Sequence, residues 1–323
     1  MNTLMNTLYL VIPCYNEEEV LPETAKQLLA KMNALIAADK ISPKSRIVFV
    51  NDGSKDKTWE LIDRLHRENP IFSGITLSRN RGHQNALYAG LMTVKDLCDV
   101  TISLDADLQD DLDAIDGMID KYAEGCDIVY GVRDNRQTDT WFKRVTAESY
   151  YRFIHMFGGE IVFNHADYRL MSRRALEALS EYKETALFLR GIVPMVGYKS
   201  DVVYYARGKR FAGESKYPLK KMIALAIDGI TSLSVRPLRF ITISGGLLLT
   251  CALALAIFFL IQALGFGMAF WGWRAVLLSV FALAGLIQLS LGIVGEYAGK
   301  TYLEVKNRPR FFVETMLHND SDV

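Results

Sequence analysis

The sequence predicts an α/β fold on a doubly wound, mostly parallel sheet, with an amphipathic juxtamembrane helix and a two-helix transmembrane hairpin behind it. Three observations lead there. Short β-rich runs alternate with longer helical patterns over residues 1–206 of the 323-residue chain, as in sheets covered by helices. Four strand candidates end in polar clusters rather than in hairpin turns. Beyond Arg239 the chain holds two uncharged runs long enough to cross a bilayer.

The elements follow in order. A first strand is expected at 8–13 (Leu-Tyr-Leu-Val-Ile-Pro), then a helix at 20–38 behind Glu17–Glu19, where acidic residues suit a helix start. The apolar run at 46–51 gives a second strand, and the helix at 57–67 begins where Ser54 or Asp56 can cap it. A strand at 75–78 leads to a helix at 84–95, whose Ala86, Ala89 and Gly90 let it pack closely on the sheet. That segment lacks the G-x-x-x-x-G-K-[ST] pattern of a P-loop. Strands at 100–105 and 127–131 flank a helix at 112–123, and a last soluble helix is expected at 140–157.

A parallel sheet gathers its C-terminal strand ends on one edge, where open α/β sheets bind ligands. The clusters Pro13-Cys14-Tyr15-Asn16-Glu17, Asn51-Asp52-Gly53-Ser54, Arg79-Asn80-Arg81-Gly82 and Asp105–Gln109 should therefore converge on a crevice. Asp105 and Asp107 repel each other unless a cation lies between them. A hard divalent ion shared with substrate phosphates would supply one, and a capped strand-to-helix turn is the competing reading. Asp52 can face a base or ribose, or close an Asx turn.

Charge is segregated along the chain. Residues 1–206 carry a balance of −6, and residues 207–240 carry +6. That basic neck precedes the uncharged runs 240–273 and 275–295 and suits an anionic leaflet or a lipid phosphate. Lys300, Lys306, Arg308 and Arg310 follow the second run, whereas the loop between the runs is uncharged up to Arg274 and bears Phe270, Trp271 and Trp273. The positive-inside rule then puts both termini in the cytoplasm. Residues 219–233 repeat apolar positions at helical spacing behind Lys220 and Lys221, as an interfacial helix does. Cys14, Cys98, Cys126 and Cys251 show no metal-type spacing, so reduced thiols are expected.

The succession PCYNEEE, NDGSKD, RNRGHQNALYAG, SLDADLQDD, YGVRDNR, DYRLMSRRAL and RFAGESKYP resembles the family 2 glycosyltransferases. It is similar in particular to their dolichol-phosphate-mannose-synthase-like branch and to bacterial bactoprenol (undecaprenyl phosphate) glucosyltransferases, from about residue 8 to residue 313. The resemblance implies a GT-A catalytic domain at 1–206, a basic lid and interfacial helix at 207–239, two spans within 240–298 and a cytoplasmic tail at 299–323. Pro13, Tyr15, Glu17, Asp52 and Asp105 would bind the nucleotide. Asp105, Asp107 and Gln109 would hold Mg²⁺ or Mn²⁺ against the diphosphate. Asp111 departs from the family, in which many relatives continue into proline there, and a small change at the helix start is expected.

By the same resemblance Asp167 and Asp107 are the catalytic carboxylates, Asp167 in the place of an inverting transferase's general base. A lipid phosphate has its second pKa near 6, so the acceptor arrives largely ionised and Asp167 can instead orient Arg169 or another cation. Arg133, Arg169, Arg207, Arg210, Ser215 and Lys216 would receive the acceptor phosphate or the diphosphate, because guanidinium forks suit phosphate oxygens. Gly208 and Gly213 would let the lid move. The activity implied is metal-dependent, inverting transfer of a hexose to undecaprenyl phosphate at the bacterial cytoplasmic membrane. UDP-glucose is the first choice of donor, against GDP-mannose, UDP-galactose or a UDP-aminoarabinose derivative. A homotetramer is implied and no nucleic-acid partner is expected. A processive synthase is disfavoured by the absence of Q-x-x-R-W, and a non-catalytic nucleotide-sugar-binding scaffold by the presence of both acidic motifs.

Overall fold

A computed structural model describes residues 5–133, 165–184, 188–206 and 273–318, with the isolated positions 243, 247 and 250. The expected helix at 140–157, the basic lid, the interfacial helix and nearly all of the first span lie outside the described residues.

The first half of the chain alternates as its pattern dictates. Strands β1 (Leu8–Cys14), β2 (Arg46–Asn51), β3 (Phe72–Leu77), β4 (Val100–Ser103) and β5 (Ile128–Arg133) alternate with helices α1 (Leu21–Ala37), α2 (Thr58–Glu68), α3 (His83–Val94) and α4 (Ala114–Ala123). Strand β6 (His165–Ser172), helices α5 (Arg173–Ser180) and α6 (Leu189–Met195), strand β7 (Ser200–Tyr205), helix α7 (Trp273–Lys306) and strand β8 (Val313–Leu317) follow.

The sheet order is β7-β5-β6-β4-β1-β2-β3-β8. β1 pairs in parallel with β2 and β4, β2 with β3, and β5 with β7. β6 runs antiparallel between β4 and β5, and β8 antiparallel along β3. Six of the eight described strands run one way, so the sheet is mostly parallel as expected, with β6 and β8 reversed. β6 reverses the chain direction, so its N-terminal end meets the C-terminal ends of its neighbours. That reversal brings Asp167 to the crevice edge. β8 covers the outer edge of β3, within the region expected to be a plain tail.

Side chains alternate across each strand with a period of two, and β1 to β4 are buried on both faces, as sheets between helices are. Leu8, Leu10 and Ile12 enter one core with Leu21, Leu28, Met32 and Leu35 of α1 and Ile115 and Met118 of α4. Tyr9 and Val11 enter the other with Leu87, Leu91 and Val94 of α3, Leu176 of α5 and Ile192 of α6. Phe311 and Met316 pack against this second core, so the segment after α7 straps α3 to the sheet.

Cys14, Cys98 and Cys126 are buried free thiols, and burial pushes Cys98 up to about 12. Reduced, unreactive cysteines were expected.

The 34 residues of α7 include the uncharged run 275–295, although only part of its side chains lie among the described residues. Among those residues no helix is long and apolar enough to cross a membrane. The expected hairpin therefore draws no support from the fold itself.

Gly90 shows how closely α3 approaches the sheet. A Cβ at this position would lie 2.6 Å from both Val11 Cγ1 and Val50 Cγ2. Gly90→Ala should destabilise the protein by about 1–3 kcal/mol through overpacking. Adding Val50→Ala should recover part of the loss, and thermal unfolding of the single and double variants checks both effects.

Candidate active site

The crevice is built by loops that hydrogen-bond to one another. Asn16, at φ +53°, donates its backbone N–H to Ser54 Oγ (3.0 Å), and its Oδ1 accepts from Lys55 N (2.9 Å). Glu17 N donates to Thr58 Oγ1 at 2.9 Å. The first cluster is thereby pinned to the second, with Pro13 buried behind it and Tyr15 39% exposed at the rim. An exposed tyrosine at such a rim offers a stacking face for a base.

The second cluster is pinned to the third. Gly53 has φ +62°, and a Cβ there would lie 2.6 Å from Asn80 N, so only glycine fits. Asp52, buried at the end of β2, accepts Arg81 N on Oδ1 (2.6 Å) and Gly82 N on Oδ2 (2.8 Å). It fixes the entry to α3, so both oxygens are committed to loop geometry as well as facing the crevice edge. Burial raises its pKa against the lowering effect of these two amides. The turn and capping roles fall to its neighbours: Asn51 Oδ1 accepts Ser54 N (3.1 Å) and Asp56 Oδ1 accepts Thr58 N (3.1 Å).

His83, the first residue of α3, reaches across the crevice. Its Nε2 is 3.5 Å from Asp105 Oδ1 and 3.6 Å from Asp167 Oδ2. Asp105 Oδ1 is buried with no hydrogen-bond partner. Burial raises the pKa of Asp105; His83 opposes this, whereas Asp167, Asp110 and Asp107 add to it. A carboxylate in this position requires positive charge. Asp107 Oδ1 accepts Gln109 N at 3.2 Å, and Leu108 between them adopts φ +55°, so the loop turns sharply and carries all three side chains on one short arc.

Asp167 is the most heavily paired acid here. Arg169 Nη2 donates to Oδ1 (2.7 Å), while Arg190 Nε reaches Oδ1 (3.3 Å) and Arg190 Nη2 reaches Oδ2 (3.1 Å). Burial alone would raise its pKa. The Arg190 charge, the His83 hydrogen bond and Arg169 outweigh burial and hold the carboxyl well below the usual range. At neutral pH it is an anchored anion, a weak proton acceptor.

Arg169 departs from the expected role in phosphate binding. It is 2% exposed, its Nη1 donates to Leu189 O (3.4 Å), and its charge is spent on Asp167. Arg190 at the start of α6, 37% exposed by side chain, is the guanidinium that reaches solvent beside Asp167. The sequence reading missed Arg190 because a lone arginine in Phe188-Leu189-Arg190-Gly191 belongs to no visible pattern. It treated α3 as packing and so missed His83; the position, opening a helix beside the Asp105 strand end, was a usable signal. Leu189 N donates to Gln84 Oε1 (3.1 Å), which ties the α6 start to the α3 start.

Arg133 closes the far end of β5. Its Nε donates to Tyr205 Oη (3.2 Å), and its Nη2 lies 3.6 Å from Asp110 Oδ1. Tyr205 Oη donates to the same Asp110 oxygen at 2.5 Å. Asp111 Oδ1 accepts Asp113 N (2.9 Å), and its carbonyl accepts Tyr168 Oη (2.9 Å), so this position shapes the approach to α4. Arg207, Arg210, Ser215 and Lys216 lie outside the described residues.

The strand ends of the mixed sheet thus gather Asp105, Asp107 and the arginine-bound Asp167 on one edge, the arrangement of an α/β enzyme's ligand crevice. Residues 9–180 match the family model "Glycosyl transferase family 2". The chain belongs to that family and is a glycosyltransferase. It is 49% identical over 313 residues, covering 97% of this chain and 93% of the relative, to the uncharacterized glycosyltransferase YkoT of Bacillus subtilis (strain 168). It is 37% identical over 307 residues, covering 94% of this chain and 96% of the relative, to the SfII prophage-derived bactoprenol glucosyl transferase of Shigella flexneri. Among solved structures, mannosyl-3-phosphoglycerate synthase from Rubrobacter xylanophilus is similar with a TM-score of 0.49 and 16% identity, over 72% of this chain and 74% of that one.

The Arg190–Asp167 pairing makes stability depend on pH in a definite direction. A folded-state pKa below the unfolded value stabilises above the unfolded pKa and is lost as pH falls through the folded one. Arg190→Gln moves the Asp167 pKa up toward the ordinary range. The variant should be less stable than the parent by about 1–2 kcal/mol at neutral pH, reduced from the buried-pair range by the partial exposure of Arg190. The difference should close as pH falls below about 4, which thermal unfolding at a series of pH values measures.

Proposed function

We propose that this glycosyltransferase moves a hexose from a nucleoside diphosphate sugar to a polyprenyl phosphate, with UDP-glucose and undecaprenyl phosphate as the specific pair. The observation that carries the reading is Asp167, held as an anion by two guanidiniums and a histidine. Such a group is unsuited to deprotonating an alcohol and well suited to positioning Arg190 for an acceptor that arrives already ionised, as a phosphate with pKa near 6 does. The relative named as a bactoprenol glucosyl transferase supports both glucose and the lipid acceptor.

In this mechanism an acceptor phosphate oxygen attacks the anomeric carbon in one displacement. The bond from that carbon to the diphosphate oxygen breaks, its electron pair leaves with the nucleoside diphosphate, and the configuration inverts. No proton needs to be removed from the acceptor. Arg190 orients the incoming phosphate, Asp167 fixes Arg190, and Arg169 fixes Asp167 from beneath. Tyr15 faces the base.

The residues also fit a divalent ion. Asp105 offers a buried acceptor oxygen without a partner, Asp107 and Gln109 follow on the same arc, and among the described residues no set of three His, Cys, Asp or Glu side chains forms a self-sufficient metal site. This donor set matches Mg²⁺ or Mn²⁺ completed by substrate phosphates. When bound, the ion would offset charge developing on the diphosphate leaving group.

The sequence supports a membrane location. The uncharged stretch 275–295 matches the ~20 residues of a span. With the uncharged run 240–273 it would form a hairpin whose flanking Lys and Arg residues hold the catalytic domain on the cytoplasmic side.

Purified protein should release UDP from UDP-glucose only when both polyprenyl phosphate and Mg²⁺ or Mn²⁺ are supplied; release without lipid, or none with it, would overturn the reading. Asp107→Asn should slow turnover on the order of 10²-fold or more. Asp167→Asn should remain defective across the neutral and alkaline range with nucleotide affinity retained; a defect that disappeared at higher pH would make Asp167 a base.

A further inference from the structure

A second concentration of charge lies where the end of α7 meets the start of α3. Arg79 and Arg81 from the β3–α3 loop, Asn85 from α3, and Lys306, Arg308 and Arg310 from the α7 end line one cavity of about 270 Å³. Five of these six side chains are cationic, and among the described residues no carboxylate lines the cavity, Glu184 lying near Arg310 beyond its wall. Like charges gathered this way repel unless an anion joins them.

The cluster is held in place by its surroundings. Arg310 Nη2 donates to Tyr182 O (2.6 Å), and its guanidinium lies 4.6 Å from the Tyr88 ring centroid. Asn85 Nδ2 donates to Arg81 O at 2.9 Å, which sets the direction of the amide. Three other polar atoms lack partners: Arg81 Nε, Arg310 Nη1 and Asn85 Oδ1 are buried without a hydrogen bond. Buried polar atoms are nearly always satisfied, and each orphan costs about 1–3 kcal/mol, more when charged. Two are guanidinium donors and one is an acceptor. A phosphate group meets this demand, with oxygens for the forks and, when protonated or carried beside a hydroxyl, a donor for Asn85.

We propose that this cavity is a second phosphate-binding site of the protein, sharing the Arg79–Gly82 loop with the crevice but none of its carboxylates. The same phosphate chemistry is available from a free phosphate or diphosphate and from the headgroup of an anionic phospholipid. In either case the occupant joins the C-terminal strap to the loop that Asp52 organises, and so stabilises the seat of β8 on the sheet.

The test uses the full chain in detergent with EDTA present, so that the carboxylate crevice has no divalent ion. Sodium pyrophosphate and water-soluble dihexanoyl phosphatidylglycerol are titrated separately against sodium chloride at matched ionic strength, and thermal unfolding is followed by intrinsic fluorescence. At least one phosphate ligand should raise Tm saturably. The rise should be lost in the Arg79→Gln/Arg308→Gln double variant and kept in Asp107→Asn. A response to pyrophosphate identifies a free phosphate, and a response to phosphatidylglycerol alone identifies a headgroup. Arg79 and Arg308 are exposed, so their replacement should leave the fold intact; circular dichroism checks this, and ³¹P line broadening gives a second measure of binding. No shift with either ligand, a shift that survives the double variant, or one lost in Asp107→Asn would overturn the proposal.

Discussion

The charge balance around Asp167 is the constraint on which the crevice depends. A carboxylate buried at the sheet edge is tolerated only when cations surround it, and here they come from three separate elements: Arg169 from its own strand, Arg190 from α6 and His83 from α3. Each of these elements is oriented by that need. Asp52 contributes from the opposite side by fixing the two amides that lead into α3, so the position of His83 is set from both ends. Buried ion pairs add little net stability but are costly to break, which makes this cluster a specifier of geometry more than a source of folding energy.

Much of the fold was legible. β2 was placed at its observed limits, and α1, α2 and α3 within a residue of theirs, because their apolar periodicity and strand-end polar clusters act locally. β6 was not legible as a strand. Its residues His165-Ala166-Asp167-Tyr168-Arg169-Leu170 place charged groups at alternate positions, which a sequence reader takes for an exposed motif. The structure buries Asp167 and Arg169 together because each neutralises the other. β8 was missed for a related reason: half-exposed Val313–Leu317 gains strand character only from the unpaired edge of β3.

The site divided along the same line. Asp105, Asp107 and Asp52, announced by a local pattern, stand at the sheet edge where that pattern puts them. Arg190 and His83 act through contacts between elements far apart in the chain, and no spacing rule records such contacts. Arg169 illustrates the converse error. Its charge suggested a ligand, yet its place two residues from Asp167 on one face of β6 makes it an internal counter-ion.

The antiparallel seat of β8 has a consequence for how the protein is made. The sheet that begins with β1 is finished by a strand encoded after α7, on the far side of both uncharged runs. Leu317 of that strand lies directly under Gly74 of β3. During synthesis the edge of β3 therefore stays uncovered until residues 313–317 have left the ribosome. An open strand edge invites pairing with other chains. Completion of the catalytic domain is thus tied to delivery of the apolar segment that precedes its final strand, and a chain that stalls there keeps an adhesive edge.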